Sequence, residues 1–305
     1  MSLKTLGALG IVYVVWGSTY LAIRYAIEGF PPLLSAALRF LAAALLMLGF
    51  LCVRRPSALR ATGAQLTTAA VSGILLLAGG NGLVTVAEQR IDSGLAALLI
   101  ACVPLWIVIL RALLRDRPSA ATAIGVLIGL AGVALIFLPG GSGSIDVGYA
   151  ALAVVAALSW AIGSLLVTRL PVPAYPLMLT AVQMVAGGLV LLAAAAAAGE
   201  LSRFAPADAP GSAWFALGYL IVFGSLVAFT AYVWLLGNAP VSLVATYAYV
   251  NPAVAVLLGA LVAGERLTGA ELAGGLVVLG AVALVVTAES RNRRRRAAAE
   301  PAKVS

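Results

Sequence analysis

Ten apolar stretches of about twenty residues each follow one another along the chain, and they constrain the fold more than any other feature. An α-helix of roughly 20 apolar residues crosses the hydrocarbon core of a bilayer. The stretches cover residues 5–24, 33–53, 66–87, 93–114, 119–138, 148–168, 175–198, 213–236, 243–263 and 270–288. They are too long and too uniformly apolar for barrel strands, in which apolar and polar residues alternate. The sequence therefore predicts an all-α integral membrane protein with ten transmembrane helices.

The composition supports this fold class and excludes several kinds of site. Of the 305 residues, 63% are hydrophobic and 10% are charged, whereas soluble proteins have roughly 25% charged residues. The first stretch lacks a small-residue cleavage motif, so it is expected to be a retained helix and not a signal peptide. Cys52 and Cys102 lie far apart in apolar stretches and there is no histidine. We therefore expect no disulfide framework, no metal site and no cofactor.

The two halves of the chain share an ordered series of matches. Trp16 and Trp160 stand 144 residues apart, and the same offset pairs Pro32 with Pro176. Near the end of each half the offset grows to 149, which pairs Asp116-Arg117 with Glu265-Arg266. That register gives eight identities in the nineteen positions from residue 117 to residue 135. The series predicts an internal duplication.

Each half carries five apolar stretches, an odd number, so the second half must enter the membrane upside down. We predict one five-helix repeat over residues 1–140, a second, inverted repeat over 141–289, and a basic tail over 290–305. Inverted repeats are typical of secondary transporters, whose binding site lies near the bilayer midplane between the repeats.

Positive charge is distributed unevenly between the two predicted faces. With the N-terminus inside, fourteen of the nineteen lysines and arginines lie on the cytoplasmic side, and four lie outside: Arg24, Arg90, Arg203 and Arg266. Lysine and arginine in short loops decide topology, so both termini are expected to be cytoplasmic. The cluster Arg291–Arg296 directly follows the last helix, a position that favours contact with anionic lipids over nucleic acid.

Two prolines lie inside apolar stretches, Pro104 in the fourth and Pro252 in the ninth. Proline cannot donate a backbone hydrogen bond and obstructs the carbonyl four residues earlier. A break of this kind is tolerated in a membrane only against protein or a water-lined cavity. We therefore predict helix breaks at both prolines, beside a central cavity.

Aromatic and polar side chains within the stretches are the candidates for lining this cavity. The predicted substrate-binding residues are Trp16, Thr19, Tyr20, Arg39, Asn81, Trp160, Ser164, Gln183, Tyr247 and Asn251. Alternatives remain open: either tryptophan can serve in packing or as an interface anchor, and the long side chain of Arg39 can reach the interface. Tyr232 and Trp234 fit an interfacial aromatic belt at least as well as a site.

The acidic residues bear on energy coupling. Every Asp and Glu is predicted to lie in a loop, a tail or the end turn of a helix. Glu88 ends a polar stripe that begins with Asn81 and Thr85, and we expect its carboxylate to be solvated. An uncoupled carrier is therefore the favoured interpretation, and coupling through Glu88 is the alternative.

Several motifs resemble those of a known superfamily. They are Trp16-Gly-Ser-Thr-Tyr20, Leu38-Arg39-Phe40, the helices with Pro104 and Pro252, and Gly264-Glu265-Arg266-Leu267-Thr268. They resemble the bacterial drug/metabolite transporters with two tandem EamA domains, although Arg115-Asp116-Arg117-Pro118 departs from the glutamate-containing turn usual in that family. The resemblance implies a ten-helix carrier of the inner membrane, often an exporter of amino acids or related metabolites.

Three classes of function differ in the residues that they need. An intramembrane enzyme would need convergent acids, histidines or a metal motif, so we expect the protein not to be an enzyme. A flippase or carrier for a lipid or lipid-linked metabolite is the alternative to a small-solute transporter. A phosphate headgroup favours several buried cations, and only Arg39 is a candidate. We therefore expect a neutral or zwitterionic small solute, and we leave the solute, the direction and the oligomeric state open.

Overall fold

The structure, a computed structural model, describes residues 3–116, 118–137, 146–239, 241–244 and 246–299. Within these ranges all regular structure is helical. The helices are α1 (Leu3–Ile27), α2 (Pro32–Arg54), α3 (Gly63–Ala87), α4 (Ser93–Ile100 and Val103–Leu113), α5 (Ala120–Ile136), α6 (Val147–Arg169), α7 (Pro176–Ala197), α8 (Gly211–Tyr219, Leu220–Val227 and Ala228–Asn238), α9 (Tyr247–Val262) and α10 (Gly269–Ala299). Eight of them are long and apolar enough to cross a membrane, and α5 and α9 are shorter apolar helices. The predicted ten-helix membrane fold is confirmed.

The middle parts of α3 and α8 are π-helical, which the sequence analysis did not predict. These parts are Ile74–Gly82 and Leu220–Val227. A π-helix bonds residue i to residue i+5, is rare, and occurs frequently at functional sites. Because α3 and α8 hold the same place in their respective halves, the two halves share this unusual feature.

The two predicted proline breaks have different outcomes. Near Pro104 the helix is interrupted: α4 stops at Ile100 and resumes at Val103, so that Pro104 lies in the first turn of the second part. The predicted break at Pro252 is wrong, because α9 runs without interruption from Tyr247 to Val262. The proline lies only five residues after the helix begins, so the single lost bond, to Ala248, is close to an end where helices lack partners anyway.

The predicted tail does not begin where a helix ends. α10 continues past residue 290 to Ala299, because the alanines and arginines that follow the apolar part are good helix formers. The predicted repeat boundary at residue 140, Arg117 and residues 300–305 lie outside the described residues.

The most extensive contacts between helices keep their pattern when each helix is exchanged for its counterpart five places along. α1 packs on α8 and α9, and correspondingly α6 packs on α3 and α4. α2 packs on α8 and α7 on α3, while the pairs α2–α7, α4–α9 and α5–α10 map onto themselves. This exchange of contacts relates the two halves to each other, and the inversion of the second half stays a prediction.

Glycines allow the closest of these approaches. A Cβ on Gly132 of α5 would lie 3.0 Å from the carbonyl oxygen of Gly274 on α10, and a Cβ on Gly274 would lie 2.7 Å from that of Gly132. Small residues at such positions let membrane helices pack backbone against backbone. Gly125, two turns earlier on α5, packs in the same way against Val285 and Ala281 of α10.

Candidate functional site

A cavity of about 520 Å³ occupies the centre of the bundle. It lies beside the π-helical parts of α3 and α8 and beside the break in α4. Eight of the ten predicted substrate-binding residues line it. They are Trp16, Thr19, Tyr20, Arg39, Asn81, Trp160, Tyr247 and Asn251. Pro104 and Pro252 line it as well.

Four aromatic side chains form one wall of the cavity, and we call them the aromatic group: Trp16, Phe229, Tyr232 and Tyr247. The ring of Trp16 lies with its centroid 5.6 Å from Phe229, 5.1 Å from Tyr232 and 5.4 Å from Tyr247. Tyr232 and Tyr247 meet edge to face at 5.7 Å. Tyr232 therefore belongs to the cavity, in contrast to the interfacial belt that its position in the sequence suggested.

Trp16 and Trp160, which the internal repeat pairs with each other, each contact the π-helical part of a helix in the other half of the chain. The indole nitrogen of Trp16 donates to the carbonyl oxygen of Gly224 in the π-helical part of α8, at 3.2 Å. Trp160 lies against Gly80 in the π-helical part of α3, where a Cβ would come within 2.8 Å of its ring. Each tryptophan thus contacts a glycine of the other half, and at Gly80 the ring of Trp160 leaves no room for a Cβ.

Arg39 is buried within the protein and its side chain does not extend to the surface, with 7% of the residue exposed. Its Nε donates to Ser225 Oγ at 3.0 Å, and its guanidinium carbon lies 4.9 Å from the centroid of Phe40. Among the described residues no carboxylate lies within salt-bridge distance of it. A buried charge without a paired counter-ion is costly, so the cavity offers an anion-binding group.

Two amide side chains add polar atoms to the same space. Asn251 is buried, and its Oδ1 has no hydrogen-bond partner among the described residues. Asn81 lies on the opposite repeat, in the π-helical part of α3. An amide oxygen without a partner is an acceptor for a donor group on a bound molecule.

Ser164 and Gln183, the other two predicted binding residues, do not line the cavity. Ser164 donates to the carbonyl of Trp160 within its own helix at 2.8 Å. Gln183 is buried between α7 and α3, where its Nε2 donates to Ser72 Oγ at 3.0 Å. Both side chains are engaged in helix structure and packing, so the site excludes them in this conformation.

The bundle has two ends, which we call the terminal face, where α1 begins and α10 ends, and the distal face opposite. A polar network closes the distal face above the cavity. Arg24 bridges Glu265 at 2.5 Å and Asp92 at 3.0 Å. Glu265 also accepts from Ser93 N at 3.0 Å and Oγ at 2.7 Å, and from Gly94 N at 3.0 Å. We call this set the distal network; it joins α1, the start of α4 and the α9–α10 connection.

Among the candidate residues, Glu88 is the one whose surroundings differ most from those predicted. It was expected to be solvated at the end of α3, yet only 5% of the residue is exposed and neither carboxylate oxygen has a hydrogen-bond partner among the described residues. The physical reason is tertiary: α1, α2 and α6 all pack against the last turn of α3, next to Glu88. Thr85, one turn earlier, is also buried and donates to the Asn81 carbonyl at 2.9 Å.

Towards the terminal face the cavity continues along α4 and α10. Arg111 lines this part and bridges Glu289 at 2.6 Å and Asp116 at 2.6 Å. Glu289 and Ser290 line it from the other side. The cavity therefore extends from the midplane residues to the terminal face, while the distal network separates it from the other end.

Comparisons with known proteins agree with this architecture. The model of the EamA-like transporter family matches residues 5–138 and 148–287. The chain is 42% identical to a protein named Uncharacterized inner membrane transporter YedA of Escherichia coli (strain K12), over 92% of this chain and 90% of the relative. It is 28% identical to Uncharacterized transporter YvbV of Bacillus subtilis (strain 168), over 97% and 95% of the two chains.

A solved crystal structure shares the fold, with a TM-score of 0.63 and 23% identity over 95% of this chain and 99% of the other. Two family segments, one for each half, cover nearly all of the ten helices. They fall on either side of the region in which the sequence predicted the repeat boundary. The chain accordingly belongs to the EamA-like transporter family, and it is a membrane transporter.

Proposed function

We propose that the protein exports amino acids, or similar small zwitterionic metabolites, from the cytoplasm by alternating access. The observation that carries this proposal is the pairing of Arg39 with Asn251 Oδ1 in one cavity. A guanidinium without a carboxylate partner binds a carboxylate, and a free amide oxygen accepts from an ammonium group. An α-amino acid presents both groups a short distance apart.

The aromatic group supports a solute with an apolar or aromatic side chain. Binding pockets for small molecules are mostly apolar with a few polar groups that set orientation. Faces of Trp16 and Tyr247 supply apolar contact, and they attract an ammonium through cation–π interaction. A phosphate-bearing lipid fits less well, since the other cavity-lining arginine, Arg111, is already bridged to two carboxylates.

The direction of transport rests on the charge distribution together with the shape of the cavity. Positive charge in the loops favours a cytoplasmic position for the terminal face, and with it for both termini. The cavity extends to that face while the distal network closes the other. This conformation would load solute from the cytoplasm, and we place the protein in the inner membrane.

The test is counterflow in proteoliposomes with a panel of radiolabelled amino acids and with the amino-acid amides, which lack the carboxylate. Arg39→Gln and Tyr247→Ala should each reduce exchange about tenfold or more, since each removes roughly 1.4 kcal/mol or more of binding. Trp214→Ala is the matched control, because Trp214 packs on Phe30 at the distal surface and is 47% exposed. Equal losses in all three variants, or equal transport of acids and amides, would contradict the proposed site.

A further inference from the structure

Glu88 combines burial with a complete lack of hydrogen-bond partners among the described residues. An ionised carboxylate is strongly disfavoured in such surroundings, because nothing replaces the water that solvates it elsewhere. A glutamate at this position costs stability, which points to a functional role for the group. Neither the fold nor the proposed substrate site makes use of it.

Glu88 lies between the central cavity and a second, open space at the distal face. Val84, one turn earlier on α3, lines the central cavity. Glu88 itself lies at the wall of the distal space, which we call the distal funnel, together with Arg24, Glu28 and Asp92. Its side chain is therefore placed where movement of the distal network would expose it to the funnel.

The charged and titratable groups around Glu88 come from several elements. α1 contributes Tyr20 and Arg24, α2 contributes Arg39, and the α9–α10 connection contributes Glu265. α6 packs on the same end of α3 and carries Tyr149 near that end and Arg169 at its far end. Arg90 and Asp208 line the funnel further out.

Burial raises the pKa of Glu88 well above its usual range, and the charge of Glu265 raises it further. Arg24 and Arg39 act in the opposite direction, with smaller effect. The cationic groups nearby are already held by other partners: Arg24 by two carboxylates and Arg39 by Ser225. Burial and the neighbouring charge of Glu265 both disfavour the ionised form of the Glu88 carboxyl group in this conformation.

We propose that Glu88 is a proton-binding site coupled to closure of the distal face. Its carboxylate takes up one proton as the distal network forms, and returns that proton to funnel water when the network separates. This inference rests on the proposed alternation of access and makes the carrier proton-linked, in place of the uncoupled mechanism that the sequence favoured.

The dependence on pH follows from linkage. A group whose pKa is raised in one conformation stabilises that conformation while it is protonated. The stabilisation of the closed distal face is therefore fully present below the ordinary pKa of a glutamate. It is lost as pH rises through the raised value, and each unit of pH in that window changes the equilibrium about tenfold.

The experiment measures the distal face directly and needs no solute. Spin labels are attached at Gln89 and Arg266, exposed residues on two elements beside the distal network, after Cys52 and Cys102 are replaced by Ser. Double electron–electron resonance in lipid nanodiscs then gives the distance between the labels as a function of pH. We expect a short distance at acid pH and a growing fraction of a longer distance as pH rises.

Glu88→Gln mimics the protonated acid and should hold the short distance at every pH. Glu88→Asp keeps a titratable group and should restore a pH-dependent distance. Glu28→Gln, an exposed carboxylate of the same funnel, is the matched control and should titrate like the unsubstituted protein. A distance that does not change with pH, or an unchanged pH dependence in Glu88→Gln, would overturn the proposal.

The same measurement separates this inference from the substrate proposal. Should no amino acid be exchanged while the distance still titrates through Glu88, the substrate assignment fails and the proton site stands. Should amino acids be exchanged while the distance ignores pH, the proton site fails and the substrate assignment stands.

Discussion

Glu265 is the residue on which the distal network depends most. Its side chain is 3% exposed, and its two oxygens accept four hydrogen bonds, from Arg24, from Ser93 N and Oγ, and from Gly94 N. Glu265→Gln keeps the shape of the side chain but removes the charge and turns one acceptor into a donor. That donor would face an N–H or hydroxyl group that donates in the native protein.

The size of the expected change in the free energy of unfolding follows from these contacts. Hydrogen bonds to a charged group contribute about 1.5–3 kcal/mol each, and a buried donor left without a partner costs about 1–3 kcal/mol. The bridge to Arg24 counts for less, because that side chain is 35% exposed and solvent screens it. With one oxygen still able to accept, we expect Glu265→Gln to lower the free energy of unfolding by about 3 kcal/mol.

The assay is reversible unfolding in mixed micelles by titration with sodium dodecyl sulfate, followed by far-UV circular dichroism. Asp92→Asn is the matched comparison, because Asp92 also bridges Arg24 but its side chain is 39% exposed. We expect Asp92→Asn to lower the free energy of unfolding by less than about 1 kcal/mol. If the two variants lose equal stability, or if Glu265→Gln loses less than about 1 kcal/mol, the buried carboxylate does not hold the distal face together.

Three further predictions concern packing at two glycines, the hydrogen bond of Trp16 and the topology in the membrane. Gly73→Ala should lower the free energy of unfolding by about 1–3 kcal/mol or more, because its Cβ would lie 2.4 Å from backbone atoms of Gln183. Gly218→Ala meets nothing within 4 Å and should leave stability unchanged or raise it by up to about 1 kcal/mol in the same titration. Trp16→Phe keeps an aromatic ring but loses the bond to the Gly224 carbonyl, so the same titration should show a loss of about 1 kcal/mol. A phosphatase reporter fused after Ser202 should be active outside the cell and one at residue 300 inactive; the reverse pattern would overturn the assigned orientation.

The sequence predicted the ten helices and most of the cavity because both depend on local composition. An apolar stretch long enough to cross a bilayer has few other options, and polar or aromatic residues within it tend to face protein. Trp16, Arg39 and Asn251 could be selected on that basis alone. Ser164 and Gln183 met the same criterion, but only the packed structure shows that their polar atoms are satisfied elsewhere.

What the sequence missed depends on backbone geometry and on contacts between distant segments. A π-helical stretch advances each residue by a smaller angle than an α-helix does, so the face occupied by Tyr232 cannot be obtained from a regular 3.6-residue period across Leu220–Val227. The burial of Glu88 depends on the packing of α1, α2 and α6 against the end of α3. The position of Glu88 in the sequence predicts a residue near water, but tertiary packing buries it.

Trp16 contacts Gly224 and Trp160 contacts Gly80, so each tryptophan packs against the other half of the chain. Neither half is therefore complete by itself. If the two halves are inverted, as the odd number of helices in each predicts, a five-helix chain equivalent to one half would have to pair with a copy of itself in the opposite orientation. Such a chain could carry no strong bias of positive charge in its loops, because both orientations would have to be populated. A single chain with both halves is free of that restriction, because the loop charges of each half need to favour one orientation only.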